Sequence, residues 1–296
     1  MRIGMFSVAG TAPVDDLVAQ ARLARDAGLD GFFLGHAASW DALMAAALAG
    51  REVPGIEVGT AIVPTYPRHP LALASQALTA QTMAGGRFTL GIGPSHPPVI
   101  EGAHGISYER PVRHVREYLS ALRPLLRGEA VDRHGETLTA VGAVDAPGTT
   151  PPPVILSALG PAMLRVAGEL ADGTVTSWVG ADAIADHIVP AITRAADAAG
   201  RPAPRVLAGV VVAVTDDPDG ARRTVAEQFG AVSQFPAYQA VLDRQGLSGV
   251  HETVIAGDED TVARELRRFA DAGATDLLIG PFGDTSRVLR LAASLR

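Results

Sequence analysis

Cysteine is missing from this 296-residue chain, and so is lysine, because all 25 basic residues are arginine. Without thiols there is no disulfide, no thiolate nucleophile, no cysteine-bound zinc and no iron–sulfur cluster. Without a lysine amine no Schiff base forms with a carbonyl substrate or with pyridoxal phosphate, so lysine-dependent aldolases are excluded. Positive charge is scarce as well: 32 acidic residues give a formal charge of -7. That leaves no basic footprint for nucleic acid or for an anionic membrane. No uninterrupted apolar run approaches about 18 residues, and no charged leader precedes the first strand-like run. The expectation is a soluble, cytoplasmic protein.

What is present is enough apolar sequence for one sizeable core, 47% of residues, so a single domain over residues 1–296 is expected. Short β-rich runs alternate with longer amphipathic or Ala-rich stretches. Eight runs read as strands: Arg2–Val8, Gly31–Leu34, Glu57–Val63, Phe88–Ile92, Val154–Ser157, Gly173–Ser177, Val206–Val214 and Asp276–Ile279. Helices are expected near Pro13–Ala27, Trp40–Ala49, Pro70–Met83, Glu109–Leu126, Pro161–Leu170, Ala183–Ala199, Thr261–Ala272 and Thr285–Leu295. Eight β/α pairs suit a closed (β/α)8 TIM barrel, although alternation alone is also met by a doubly wound open sheet. The joints Asp26–Leu34 and Asp271–Ile279 repeat one another, each with a glycine suited to a helix C-cap.

Two segments interrupt the alternation. Gly128–Pro153, after the fourth helix, reads as a hairpin turning near His134–Gly135, followed by a Pro/Gly/Thr linker. Asp216–Gly249, after the seventh strand, reads as two helices, Gly220–Phe229 and Ala237–Gln245. It is long enough either to cover a site or to join copies of the chain into a homo-oligomer.

Barrel chemistry sits just past the C-terminal ends of the strands. Those positions here are Ser7–Val8, Gly35–His36, Pro64–Thr65, Gly93–His96, Ala158–Gly160, Trp178–Val179, Thr215–Asp216 and Pro281–Gly283. They are nearly free of carboxylates, so neither a metal site nor a facing pair of glycosidase acids is expected. Glycine and proline turns, small hydroxyls, two histidines and two aromatics suit a large planar cofactor that brings its own reactivity.

One stretch is more specific. Gly59-Thr60, Pro64, Arg68-His69-Pro70, Ala74, Gly86-Arg87-Phe88 and Leu90-Gly91-Ile92-Gly93 follow one another in order. A second stretch, Pro153–Gly173, carries Gly160-Pro161 opening a helix, which leaves the Ala162 and Met163 amides free for a phosphate. Together these resemble the luciferase-like monooxygenase superfamily, whose members bind FMN or coenzyme F420, and the Ala/Arg-rich style resembles its F420-dependent branch. The resemblance implies F420 as cofactor, with FMN as the alternative, and hydride transfer between the deazaflavin and a small organic substrate. It implies a non-prolyl cis peptide and bulge at Ala61, Ile62 and Val63, against the central ring. It also implies cofactor contacts from Gly93, Pro94, Ser95 and His96, from Ala158, Leu159, Gly160, Pro161, Ala162 and Met163, and from Ser177 and Trp178.

Two departures stand out: Gly35-His36 replaces the Asp-His common in relatives, and Ala162 replaces a basic residue. An FMN-dependent monooxygenase and a flavin-binding relative without catalysis therefore stay open.

His36 is the candidate catalytic residue, either as a proton donor or as a hydrogen-bonding wall group. His96 reads as a cofactor or substrate contact, and Trp178 as a ring-stacking residue or a core aromatic. His69, in Arg68-His69-Pro70, reads as a helix cap. Glu101/His104 and His114/Glu117 read as surface residues, and no metal site is expected.

Overall fold

The computed structural model describes residues 1–8, 13–37 and 39–296. Twelve strands are present among them: β1 (Arg2–Val8), β2 (Gly31–Gly35), β3 (Glu57–Thr60), β4 (Val63–Pro64), β5 (Phe88–Gly93), β6 (Val131–His134), β7 (Thr139–Gly142), β8 (Val154–Ser157), β9 (Gly173–Ser177), β10 (Arg205–Val214), β11 (Ile255–Gly257) and β12 (Asp276–Pro281). The parallel order β1-β2-β3-β5-β8-β9-β10-β12 returns to β1, because β12 pairs with both β10 and β1. The sheet is a closed eight-stranded barrel ringed by helices, and the open doubly wound alternative is excluded.

Strand alternation sorts the side chains. Phe32, Leu34, Leu277 and Ile279 face the helices in the main core, while Phe33, Ile155, Val175, Leu207 and Leu278 fill the barrel interior. Phe33 is the plug of that interior layer. Two glycines make room for its ring: a Cβ at Gly31 would meet the ring at 2.8 Å, and one at Gly59 at 2.5 Å.

Below this layer the N-terminal end of the barrel is closed by charge. Arg205 reaches Glu57 at 3.0 Å and Asp276 at 2.5 Å, Arg2 joins the same two carboxylates, and Thr89 donates to Glu57. Asp276 is only 4% exposed.

The expected hairpin is present: β6 and β7 are antiparallel and join across His134–Thr139. The fourth helix begins at Pro111 rather than Glu109, since Arg110 adopts a left-handed φ of 52°. A residue preceding proline is disfavoured in the right-handed helical region. The segment after β10 forms helices Pro218–Phe229 and Pro236–Gln245, each with proline in its first turn. Strand β11 was not anticipated; three residues long, it pairs with the overhang Val212–Val214 of β10, outside the barrel ring.

Candidate active site at the C-terminal mouth

A cavity of about 660 Å³ opens where the strands end. Inward alternation puts Phe6 and Val8 of β1, Ser157 of β8, Ser177 of β9 and Gly209 of β10 on its wall. Past β2 the wall continues with His36. Between β3 and β4 it is made by Ala61 and Ile62, joined by a non-prolyl cis peptide. Past β5 come Pro94, Ser95 and His96; past β8, Leu159, Gly160 and Met163; past β9, Trp178.

Eleven of the sixteen sequence-based site residues thus meet at one mouth. The other five stand off the wall. Val63 and Ala158 are buried behind it. Gly93 is also behind it, where a Cβ would meet Ser157 at 3.0 Å. Pro161 and Ala162 are exposed outside it.

Ser95 and Trp178 both carry positive φ, 63° and 61°. Such conformations are uncommon for side-chain-bearing residues and cluster at functional sites. Tyr108, also on the wall, donates from its hydroxyl to the Ser95 carbonyl at 2.8 Å, which fixes that turn.

His36 accepts a hydrogen bond at Nδ1 from the Ala42 amide at 3.4 Å. With Nδ1 accepting, the ring proton belongs on Nε2. Burial lowers the His36 pKa and the Arg68 guanidinium pushes the same way, against Asp41, so the ring is neutral at pH 7. Asp41 caps the helix Ala42–Glu52 by accepting from Leu43 and Met44 at 3.0 Å each, and it pairs with Arg68. Asp41 bears on His36 through its charge, while its oxygens are taken up by Leu43, Met44 and Arg68.

His96 stacks on Phe235 with 4.4 Å between centroids and lies 5.2 Å from Tyr238. Burial lowers its pKa as well. Phe235 and Tyr238 belong to the segment after β10, which, with Phe229 and Val232, roofs the cavity. Phe229 lies 5.8 Å from Trp178, where the roof meets the strand ends. Of the two roles expected for this segment, covering a site is realised. The roof residues themselves were not singled out in the sequence, although three aromatics within ten residues are conspicuous in a chain only 5% aromatic.

At the rim, the helix Pro161–Leu170 starts from an extended Gly160 with no side chain capping it. Its first-turn amides stay available to an anion. Trp178 is a wall residue rather than plain core, and His69 caps the helix Pro70–Met83 by accepting from Leu71.

One expectation is corrected. His114 is not a surface residue: it is 6% exposed, meets the Thr65 hydroxyl at 3.0 Å and stacks on Tyr66 at 3.9 Å. It lies on the buried face of the helix Pro111–Leu126, on the same stripe as Tyr118, Leu122 and Leu125. Among the described residues no group of three or more His, Asp or Glu is placed to hold a metal ion, and no helix is long and apolar enough to cross a membrane.

The sequence pattern of the luciferase-like monooxygenase family matches residues 1–276. The chain belongs to that family. It is 28% identical over 253 residues, 83% of this chain and 75% of the relative, to the 5,10-methylenetetrahydromethanopterin reductase of Methanolobus tindarius. Its fold resembles the coenzyme F420-dependent tetrahydromethanopterin reductase of Methanopyrus kandleri, with a TM-score of 0.84, 23% identity, and coverage of 99% of this chain and 97% of that one. It also resembles the oxygenating component of 3,6-diketocamphane monooxygenase from Pseudomonas putida, solved with FMN, with a TM-score of 0.74, 20% identity, and coverage of 99% and 96%.

Proposed function

We propose that this chain is a coenzyme F420-dependent oxidoreductase acting on a small organic substrate. The observation that carries the proposal is the mouth itself. A cavity of about 660 Å³ with apolar walls passes over the Ala61–Ile62 segment and ends beside an uncapped helix N-terminus. A planar tricycle needs apolar walls on its faces, and a phosphate arm needs free backbone donors. Both kinds of partner are present here, so the residues fit the group.

When bound, the deazaflavin supplies hydride chemistry that no side chain of this chain supplies. Ala61 and Ile62 would support the ring, Ser95, Ser177 and Trp178 would flank it, and the amides beyond Gly160 would hold the phosphate. His36, with its proton on Nε2, would donate a hydrogen bond to the substrate oxygen and stabilise the charge that develops there. Phe229 and Phe235 would keep water out.

A second reading, an FMN-dependent monooxygenase, draws on Ala162. Without a cation at that position, the acidic tail of F420 lacks one side-chain partner, whereas FMN carries its charge on one phosphate. Titration of the protein with F420 and with FMN, followed by tryptophan fluorescence, separates the two readings. Saturable quenching by F420 at lower concentration than by FMN is expected. Quenching by FMN alone, with oxygen consumed during turnover, would establish the second reading instead.

A further inference from the structure

We propose that the substrate is an uncharged, mainly apolar carbonyl compound or alcohol, held under the aromatic roof Phe229, Phe235 and Tyr238. The inference rests on the oxidoreductase reading above and narrows it to a substrate class.

Among the described residues lining the cavity there is no Asp, Glu, Arg or Lys. In a chain with 57 such residues, from 25 basic and 32 acidic, their absence from a wall of this size is a selective feature. An ion moved there from water loses its hydration and meets no counter-ion. The four ionisable side chains on the wall, His36, His96, Tyr108 and Tyr238, are all shifted by burial toward their neutral forms. The hydrogen-bonding side chains on the strand-end wall are all uncharged: His36, His96, the Trp178 indole and the hydroxyls of Ser95, Ser157 and Ser177. Such groups can hold a carbonyl or hydroxyl oxygen but not balance a charge, and the remaining contact is left to apolar surface, the usual division in small-molecule sites.

The aromatic roof supplies that surface. Phe235 is fixed by stacking on His96 and Phe229 by contact with Trp178, so the roof is tied to the strand ends on two sides. Flat rings held this way favour cyclic or aryl skeletons over flexible polar ones.

The test is calorimetric titration of the protein, with and without saturating F420, using five uncharged aryl and cycloalkyl ketones, each paired with its carboxylate-bearing analogue at pH 7.5. At least one neutral ketone is expected to bind thirtyfold or more tightly than its carboxylate partner. Phe235→Ala should weaken that ketone about tenfold while F420 affinity holds within twofold. Phe229→Arg, a change at a partly exposed roof position, should recover binding of the carboxylate at least tenfold. Equal binding within every pair, or no binding by any ketone, overturns the inference. A protein that binds the ketones but not F420 keeps the inference about the wall and overturns the cofactor reading, so the two failures are distinguishable.

Discussion

The two ends of this barrel are opposites. The N-terminal end is packed with paired charge: Arg205 and Arg2 sit against Glu57 and Asp276, and a cleft beside them is also lined by Arg25, Arg87, Arg296 and Asp30. The C-terminal mouth has no formally charged side chain on its described wall. Between them lies the apolar layer around Phe33. The central ions below are paired with one another, and Arg87 is held by the Gly50 and Ile56 carbonyls, so the groups at that end already have partners. Each polar group above is neutral with capacity to spare, so a ligand can complete it. The same period-two alternation writes both ends, changing residue class along the strand: Arg205, Leu207 and Gly209 of β10 pass from charge to core to cavity.

The largest effect that sharpens this contrast is expected below. Arg205→Ala leaves Glu57 and Asp276 without their central cation, and urea denaturation should show a loss of about 3–5 kcal/mol, while tryptophan quenching by cofactor at the mouth keeps its midpoint. A similar loss of cofactor binding in protein that is still folded would break the separation of the two ends.

Next in size is a change above. His36→Phe removes the Nε2 proton, and turnover should fall about 100-fold, equivalent to about 2.7 kcal/mol, with the urea midpoint unchanged. Full activity in this variant would remove His36 from the chemistry.

A third prediction concerns His114, buried beside the mouth. Burial holds its pKa down at about 4, with Glu117 pulling weakly the other way. The unfolded chain takes up this proton near pH 6.5 and the folded chain only near 4. The stabilisation is therefore complete above pH 6.5 and is lost as pH falls toward 4. After allowance for solvent screening it is on the order of 2 kcal/mol. His114→Gln should flatten the stability difference between pH 7 and pH 4.5 by about that amount, and an identical pH profile in both proteins would contradict the assignment.

The smallest effect is a gain. Ala162 is exposed at the first turn of the helix that borders the mouth. Ala162→Arg should tighten F420 about tenfold, roughly 1.4 kcal/mol, and FMN less, since FMN lacks the acidic tail. Equal tightening of both would place the gain on the phosphate alone.

How legible each part was follows from where its information lies. All eight barrel strands and the inward Gly–Pro turns could be read locally, because buried parallel strands are short apolar runs and their ends are punctuated by glycine and proline. Closure could not be read, since it depends on β12 meeting β1 across the whole chain. His114 left a readable signal: its spacing to Tyr118, Leu122 and Leu125 is that of one helix face. The two helices of the roof could be read, but not their placement. The roof is held over the mouth by remote contacts, the Gln245 side chain accepting from the Gly180 amide at 2.7 Å and Ser233 from the Val250 amide at 3.1 Å. Asp41 was equally hidden, because a helix cap gives no sign in sequence that its charge also bears on a histidine.

The most direct measurement is a crystal structure of the protein grown with F420. The ring should lie across the Ala61–Ile62 segment, with its phosphate on the amides beyond Gly160. A ring found elsewhere, or F420 bound through its acidic tail among the arginines at the opposite end of the barrel, would contradict the assignment of binding to the uncharged mouth.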